Sequence, residues 1–279
     1  MLHLIVNGDD FGFNEKVNEE ILRSFKNGIL RSTSLMANGK SFEDAIKIIK
    51  SNPELDIGVH LTLVGGKPIL NNDKIPSLLD GNGFFHKDVI NFSQKYFSNK
   101  ISLEEVKIEF TAQIEKILNH VDKISHIDCH QDVHILPKIL DITIELANNY
   151  NIKFVRIPKE RLKGYMFRNL KSFDTLAQMI VRNYFFSAAK KKIPSSTDYF
   201  IGFYLGGKLS KQNLLTLIKN LPADGVCELM CHPGLFEITT SNSCRNYRQV
   251  EEASALVDSE ILELLHEKNI EITSFKNLV

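Results

Sequence analysis

The stretch that decides the fold is Leu4-Ile5-Val6-Asn7-Gly8-Asp9-Asp10-Phe11-Gly12. Its apolar half predicts a buried strand, and its two adjacent carboxylates mark the point where that strand opens into a loop. Two ionised carboxylates at the end of a buried strand repel each other and lose hydration, so they need a cation, a basic partner or a shared proton. The alternative is that Asp9 or Asp10 caps the following helix, although Asn14 is well placed to cap that helix itself.

The composition limits the partners of the chain. Its 279 residues include 34 basic and 34 acidic ones, with neither a basic block nor an acidic tail, which predicts no nucleic-acid partner and no anionic membrane surface. No apolar run approaches the roughly 20 residues that span a bilayer, and the chain enters its first strand directly, so we expect neither a membrane span nor export. The four cysteines lack C-x-x-C spacing, which favours reduced thiols in a cytoplasmic protein.

Short β-rich runs alternate with helical patterns almost to the end of the chain. This order is typical of an α/β fold with a parallel sheet and crossover helices, and about eight runs suit a β/α barrel. The runs begin near His3, Leu30, Asp56, Ile124, Lys153, Tyr199, Val226 and Ile270. Two helix starts are indicated by capping-box spacing, at Ser41 with Asp44 and at Ser102 with Glu105.

Two long connections interrupt this alternation, at about residues 64–85 and 158–197. The first is rich in glycine and proline and is predicted to be a loop with several turns, whereas residues 173–191 in the second have a helical pattern. Long loops at the carboxyl ends of barrel strands commonly form the substrate cleft. Neither connection is large enough to need a core of its own, so we predict a single domain over residues 1–279.

The third run carries a histidine on its polar face. Apolar and polar residues alternate over residues 55–63, so the apolar face would meet the helices. His60 would then point into the barrel or its mouth, where Gly58 leaves space beside it. The alternative is a core histidine whose hydrogen bonds are satisfied within the fold.

The fourth run ends in a dense cluster of potential metal ligands, His126-Ile127-Asp128-Cys129-His130-Gln131-Asp132-Val133-His134. Alternation places His126, Asp128 and His130 on one strand face, and the chain must turn before Pro137. Imidazole and carboxylate groups suit a divalent metal, and further carboxylates orient the imidazoles. The cluster therefore favours a metal site over a solvated polar loop.

Two further residues follow strand ends in the same way. His232 lies between the seventh run and a Pro-Gly pair, and Arg156 follows the fifth run. The carboxyl ends of parallel strands meet at one face of a barrel, where barrel enzymes assemble their sites. We therefore expect one site that contains Asp9, Asp10, His60, His130, Arg156 and His232.

Together these residues resemble a known family. Five motifs match, in order and spacing, the YdjC-like carbohydrate deacetylases, which include chitooligosaccharide deacetylases and are distantly similar to polysaccharide deacetylases. The motifs lie at residues 7–12, 58–61, 126–134, 155–158 and 230–234. The match extends over nearly the whole chain.

The resemblance implies a distorted parallel β/α barrel of seven or eight strands that holds one divalent metal ion, with magnesium or zinc as the leading candidates. The roles it implies are metal ligands at Asp10, His60 and His130, a general base at Asp9 and a general acid at His232. Arg156 would orient the base or contact the substrate, and a purely structural ion pair is the alternative. Each role is chemically reasonable, since three protein ligands leave positions open for water and a carbonyl oxygen.

Two positions depart from the family pattern. Asp132 stands where many members have a histidine, and Cys129 stands where a serine is common. Neither change removes an implied ligand. The sequence leaves the roles of Asp132 and His134 open.

The leading hypothesis is a metal-dependent hydrolase that removes the N-acetyl group of an amino sugar, in a short oligosaccharide containing N-acetylglucosamine. The alternatives are a deacetylase of a glycolipid or other N-acetylated sugar intermediate, or a different barrel metallohydrolase such as a phosphoesterase, which often holds two metals. A catalytically silent sugar-binding protein is a third class. A small carbohydrate is therefore the expected partner, and the sequence leaves a homodimer open.

Overall fold

Eight parallel strands form the centre of the protein. The computed structural model describes residues 1–160, 186, 196–203, 205, 207–234 and 248–278. The strands are β1 (Leu2–Phe11), β2 (Ser32–Leu35), β3 (Asp56–Leu61), β4 (His126–Cys129), β5 (Phe154–Val155), β6 (Tyr199–Ile201), β7 (Gly225–Cys231) and β8 (Ile270–Thr273). Each strand begins within two residues of its predicted run.

The sheet curls into a distorted barrel. Its strands follow the order β5-β4-β3-β2-β1-β7-β6, and an isolated bridge between Glu160 and Phe200 joins the two ends of this path. The eighth strand lies off the path, because β8 and β2 share one edge of β1 while β7 pairs with the other edge. The predicted fold class, a distorted parallel β/α barrel, is confirmed.

Eight α-helices connect or flank the strands in the described part of the chain. They are α1 (Glu15–Asn27), α2 (Phe42–Ser51), α3 (Val89–Phe97), α4 (Leu103–Leu118), α5 (Pro137–Asn149), α6 (Lys211–Lys219), α7 (Gln249–Leu256) and α8 (Ser259–Glu267). Their apolar faces and the outward side chains of the strands form one buried cluster that includes Leu4, Val6, Ile21 and Phe110. None of these helices is long and apolar enough to cross a membrane.

The helix starts largely follow the sequence signals. The side chain of Asn14 accepts a hydrogen bond from the Val17 amide and caps α1, so neither aspartate of β1 is needed there. Ser102 accepts from the Glu105 amide, as its capping-box spacing predicts. Ser41 lies at the N-cap of α2 but makes no side-chain cap bond.

The first long connection is folded back onto α4. It contains two 3₁₀ turns, Asn72–Lys74 and Pro76–Leu78. The buried carboxylate of Glu109 accepts the amides of Ile69 and Leu70, at 2.9 and 3.1 Å. In the second connection the structure describes residues 158–160, 186, 196 and 197, and Phe186 is buried against Phe203. The rest of the predicted helix over residues 173–191 lies outside the described residues.

The barrel lumen is polar, in contrast to its outer surface. Asn7 on β1 donates to Ser34 on β2 and to Asp128 on β4, which is two strands further along the sheet path. Arg156, just after β5, reaches Glu228 on β7. Contacts between strands that are not neighbours require side chains to meet inside the curled sheet.

The amino end of the lumen is filled by a C-terminal 3₁₀ turn, Phe275–Leu278. The Phe275 ring stacks on His126, with ring centroids 4.1 Å apart. The expectation that Gly58 leaves space beside His60 is wrong, because a Cβ at Gly58 would lie 2.3 Å from Nε2 of His126. The absent side chain makes room for His126 instead.

Gly58→Ala is therefore expected to destabilise the fold. The added methyl group would displace the His126 ring from Phe275, and overpacking of this kind costs roughly 1–3 kcal/mol. Urea denaturation monitored by circular dichroism measures the change. The control is Gly81→Ala, since nothing lies within 4 Å of a Cβ there. Equal stability of the two variants would contradict this packing account.

Candidate metal centre and active site

The carboxyl end of β1 carries two consecutive aspartates that point into the lumen. In a regular strand, successive side chains point to opposite faces. Here the register between β1 and β2 shifts between Gly8 and Phe11, and Asp10 has a left-handed φ of 66°. A bulge of this kind re-aims a side chain. It allows both Asp9 and Asp10 to contact residues of the lumen.

Asp10, His60 and His130 form a group that could hold a metal ion. One potential ligand atom from each residue lies within 4.8 Å of the others. Nε2 of His60 and Nδ1 of His130 lie 3.2 and 2.9 Å from the same oxygen, Oδ1 of Asp10. Asp10 and His60 are buried, whereas His130 is half-buried. Burial raises the pKa of Asp10, but the two histidines outweigh burial and hold that pKa well below its usual range.

His60 is oriented by a second carboxylate on its other ring nitrogen. Nδ1 of His60 lies 2.8 Å from Asp128 Oδ1 and 3.2 Å from Ser34 Oγ. Burial lowers the pKa of His60, but Asp128 and Asp10 outweigh burial and hold this pKa well above its usual range. The His60 ring therefore bridges two carboxylates. A cation at Nε2 would replace a proton there and leave a neutral imidazole, while Nδ1 keeps its hydrogen bond to Asp128.

A second group of potential ligands consists of Asp9, His60 and Asp128, whose ligand atoms also lie within 4.8 Å of one another. The guanidinium of Arg156 already contacts both carboxylates of this group. The two terminal nitrogens of this guanidinium donate to both oxygens of Asp9 at 2.6 and 2.8 Å, and Nη2 also lies 2.8 Å from Asp128 Oδ2. A metal ion there would face a buried positive charge, so the Asp10 group is the better candidate.

Arg156 is held from a third side by Glu228. Its Nε donates to Glu228 Oε1 at 2.6 Å, and both side chains are buried. Burial raises the pKa of Glu228 to about 7, despite the attraction of Arg156. The same guanidinium holds the pKa of Asp128 far below its usual range, against the effect of burial.

The buried charges leave a deficit of positive charge. Three aspartates, Asp9, Asp10 and Asp128, face a single guanidinium, so two negative charges remain when both histidines are neutral and Glu228 is protonated. Burying uncompensated charge in a lumen is costly. One divalent cation would balance this count.

His232 begins the loop after β7. It follows Cys231, which pairs with Gly8 in the strand register, so it emerges beside the two aspartates of β1. Its amide donates to Glu252 Oε2 at 2.7 Å, and its Nδ1 lies 4.0 Å from the same oxygen. Glu252 is fully buried and also accepts the Leu209 amide. Burial raises the pKa of Glu252, against the pull of His232.

The predicted ligand cluster of the fourth run divides into parts with different surroundings. β4 ends at Cys129, and His130 begins a 3₁₀ segment, His130–Ile135, in which Gln131 and Asp132 both have φ of 55°. His134 donates from Nε2 to the Arg156 carbonyl oxygen at 2.9 Å. Burial lowers the pKa of His134 to about 4, so it is neutral near pH 7.

The expectation that His126, Asp128 and His130 share one strand face therefore holds only for the first two. His126 lies deeper in the lumen, against Phe275, and burial lowers its pKa. His130 reaches Asp10 because the strand has already ended. Cys129 is buried, and burial raises the pKa of its thiol well above the ordinary value.

The described contacts join most of the predicted site residues. Asp9, Asp10, His60, His130 and Arg156 belong to one network of hydrogen bonds and ion pairs through Asp128, whereas the contacts described for His232 are with Glu252. No site role was predicted for Asn7, Ser34, Glu228 or Glu252, and Asp128 was predicted only as a member of the cluster at residues 126–134. Alternation along β4 placed Asp128 on the correct face, and its spacing from His130 was the available signal. Glu228 and Glu252 gave no such signal.

Asp128→Asn is expected to weaken metal binding about 10- to 100-fold, the usual effect of losing the carboxylate that orients a ligating histidine. The amide retains the size of the side chain but no longer favours the Nδ1–H tautomer of His60. Isothermal titration with divalent cations measures the affinity. Ser34→Ala is the control, because Ser34 Oγ is the more distant partner of the same nitrogen. A larger loss in Ser34→Ala would assign the orienting role to the serine.

Glu228→Gln is expected to change how stability depends on pH. A carboxyl whose pKa rises from 4.5 to about 7 on folding contributes stability below pH 4.5, and that contribution is lost as pH rises through 7. The loss is on the order of 3 kcal/mol. The free energy of unfolding in urea, measured for the variant relative to the wild type, should therefore be higher at pH 8 than at pH 5. Parallel pH profiles for the two proteins would contradict the shifted pKa.

Comparisons with known proteins identify the family to which the chain belongs. A family model described as YdjC-like protein matches residues 3–267. A protein of Clostridium beijerinckii, named carbohydrate deacetylase, is 31% identical over 99% of this chain and 100% of its own length. A carbohydrate deacetylase of Thermoanaerobacter pseudethanolicus is 30% identical and covers 100% of both chains.

Solved structures share the fold. A crystal structure from Enterococcus faecalis V583, provisionally described as a cellobiose-phosphate cleavage protein, has a TM-score of 0.76 and 27% identity, and covers 99% of this chain and 98% of that one. A protein of Agrobacterium tumefaciens C58 has a TM-score of 0.54 at 10% identity, over 99% of this chain and 89% of its own, which shows the fold alone. The family model and the relatives extend over nearly the whole chain, and the chain therefore belongs to the family of YdjC-like proteins.

Proposed function

We propose that this protein is a metal-dependent carbohydrate deacetylase that hydrolyses the N-acetyl group of an amino sugar. The observation that carries the proposal is the convergence of Asp10, His60 and His130 beside an aspartate, Asp9, that is paired with Arg156 rather than with the ligand group. The names of the relatives support the reaction class and the type of substrate. The short oligosaccharide is our preferred form of the substrate.

The residues present fit a divalent cation. The donor set is one carboxylate and two imidazoles, which suits zinc and, less strongly, magnesium. The two negative charges left in the lumen when both histidines are neutral and Glu228 is protonated match the charge of one such ion. His60 is held with Nδ1 toward Asp128, so Nε2 is the nitrogen available for coordination. We propose one ion per chain, with Zn²⁺ and Mg²⁺ as the first candidates.

A cation bound by these three residues would supply Lewis acidity toward the amide carbonyl oxygen and the attacking water. Asp9 is the proposed general base and takes a proton from that water. Arg156 fixes Asp9 near the ligand group through two parallel hydrogen bonds, one to each carboxyl oxygen. The base is thereby aimed without binding the ion itself.

His232 is the proposed general acid. Expulsion of the sugar amine requires a proton on its nitrogen as the carbon–nitrogen bond breaks, and an imidazole at the end of β7 is suited to deliver it. Glu252 anchors the main chain of His232 and lies near its Nδ1. The balanced products are acetate, which receives the oxygen of water, and the free amino sugar.

Other features of the chain accompany this proposal. Residues 1–279 are proposed to act as one domain, and a homodimer remains an assembly to test by light scattering. Cys129 and Cys231 are free thiols, which supports a cytoplasmic location. Arg156 is the only guanidinium that contacts Asp9 among the described residues, and it already contacts three carboxyl groups. This arrangement disfavours binding of a phosphorylated substrate group by Arg156.

Acetate release from N-acetylglucosamine oligomers tests the proposal directly. The purified protein is assayed before and after exhaustive chelation, and again after addition of Zn²⁺ or Mg²⁺. We expect activity that disappears on chelation and returns with metal. A parallel panel of N-acetylated glycolipids, phosphorylated sugars and a phosphoester substrate identifies the class that is turned over. Sugar binding without turnover in every metal-loaded sample, or full activity after complete metal removal, would contradict the proposal.

A further inference from the structure

Glu228 is a buried carboxylate that the proposed chemistry does not use. It lies on β7, where its backbone pairs with Ile5, and its side chain is 1% exposed. Its contact with Arg156, at 2.6 Å from Nε to Oε1, is as short as the shortest contact between Arg156 and Asp9. Glu228 therefore holds Nε of the guanidinium, whereas Asp9 is bound by its two terminal nitrogens.

The position of Glu228 is costly for the fold. A carboxylate without solvent contact loses its hydration, and here the loss exceeds the attraction of the neighbouring guanidinium, so burial raises the pKa of Glu228. A hydrophobic residue of similar size is often neutral or stabilising at a buried ion-pair position. Glu228 destabilises the fold and contacts Arg156, which binds the proposed base, so we expect Glu228 to have a function other than packing.

The geometry of Arg156 indicates what that role is. Its guanidinium has competing partners at the terminal nitrogens, because Nη2 contacts both Asp9 and Asp128. The fork is planar and rigid, so an anchor at Nε fixes the rotation of the whole group. With Nε held by Glu228, both terminal nitrogens meet the two oxygens of Asp9. Without that anchor, rotation toward Asp128 would break the bidentate contact.

We propose that Glu228 is a positioning residue that fixes the rotation of Arg156 and thereby aims Asp9 at the water it deprotonates. This inference rests on the proposed deacetylase function. It extends the site deeper into the lumen, to a residue within β7, three strands away from the His60 ligand on β3. Glu228 touches neither substrate nor metal in this account, so its loss should lower kcat while KM and metal binding persist.

Three substitutions of Glu228 test which property of its side chain holds Arg156. Glu228→Leu removes the acceptor, Glu228→Asp keeps a carboxyl group but shortens the reach, and Glu228→Gln keeps an acceptor oxygen at the same distance. We expect kcat for acetate release to fall about 10- to 100-fold in the Leu and Asp variants, the range seen when an outer partner of a metal-site residue is lost. Glu228→Gln should recover most of that rate. KM and the bound metal per chain should stay within about twofold of the wild type.

Glu109→Leu is the matched control. It also deletes a fully buried carboxylate whose pKa burial raises, but one that binds the amides of Ile69 and Leu70 outside the Arg156 network. We expect it to lower the thermal unfolding temperature and leave kcat unchanged. Wild-type kcat in both Glu228→Leu and Glu228→Asp would overturn the inference, and so would equal kcat losses in Glu228→Leu and Glu109→Leu.

Crystal structures of the wild type and Glu228→Asp give a readout that does not depend on turnover. The expected result is a rotated guanidinium that has lost one of its two hydrogen bonds to Asp9. An unchanged bidentate contact would overturn the positioning role even if the wild type proves inactive on every sugar. Inactivity of the metal-loaded wild type with the expected rotation would instead reject the proposed function and leave the geometry of the anchor intact.

Discussion

Asp10→Asn is expected to lose metal binding and, with it, nearly all hydrolysis. Asp10 is the carboxylate on which both histidine nitrogens converge, and a neutral amide offers a much weaker ligand to a hard or borderline cation. The loss of affinity should exceed the roughly 100-fold that removal of an outer partner costs. Metal content after dialysis and acetate release measure the two effects. Asparagine is the appropriate replacement because it tolerates the left-handed φ of 66° that position 10 requires.

The matched control for this variant is Asp132→Asn. Asp132 also has a left-handed φ, of 55°, and lies two residues from His130, but it is outside the group of converging ligand atoms. We expect its metal content to stay at the wild-type level. Retention of metal and activity in Asp10→Asn would reject the assigned ligand. Equal losses in the two variants would bring Asp132 into the site and explain the departure from the family pattern there.

The fold could be predicted because its signals are local and repeated. Period-2 alternation over residues 55–63 marked β3, and Asn14 ahead of an amphipathic pattern marked the start of α1. The alternation of strand and helix patterns favours parallel strands with crossover helices, which leaves few topologies open. The place of β8 was not predictable, because it pairs with only the first half of β1 and shares that edge with β2.

The site could be predicted at the level of residues but not of contacts. Asp9, Asp10 and His60 were predicted from their positions near strand ends, because the carboxyl ends of parallel strands meet at one face. Strict alternation would have turned one of the two aspartates away from the lumen. Both face the lumen because a bulge interrupts β1, at a non-glycine residue with positive φ. Such a bulge has no clear signature in the sequence.

The histidine cluster shows a second limit. Its density predicted a metal site, but only His130 of its three histidines joins the converging ligand group, whereas His126 packs on Phe275 and His134 binds the Arg156 backbone. Residue type gives the chemistry that a side chain can perform, while the direction in which the chain turns after Cys129 decides which partner it meets. Glu228 and Glu252 were missed for the same reason, since their partners come from distant segments.

Asp9→Asn is expected to lower kcat for deacetylation about 10²- to 10⁴-fold, the usual contribution of a general base. The amide cannot accept the proton of the attacking water, although its oxygen can still accept one hydrogen bond from Arg156. Metal binding should persist, because the three converging ligands are unchanged and Asp9 is engaged by the guanidinium. Single-turnover acetate release and metal content per chain, measured on the same preparation, separate the two effects.

Asp56→Asn is the matched control for Asp9→Asn. Asp56 is also a buried lumen aspartate, but it accepts from the Ser32 hydroxyl and the Lys276 amide at the amino end of the barrel. We expect it to reduce stability without slowing turnover. If Asp9→Asn lost the metal as well, Asp9 would have to be a ligand, and Arg156 would have to release it when the ion binds. If Asp9→Asn turned over at the wild-type rate with metal bound, the proton acceptor would have to be another group, and the bidentate pair with Arg156 would be a structural contact.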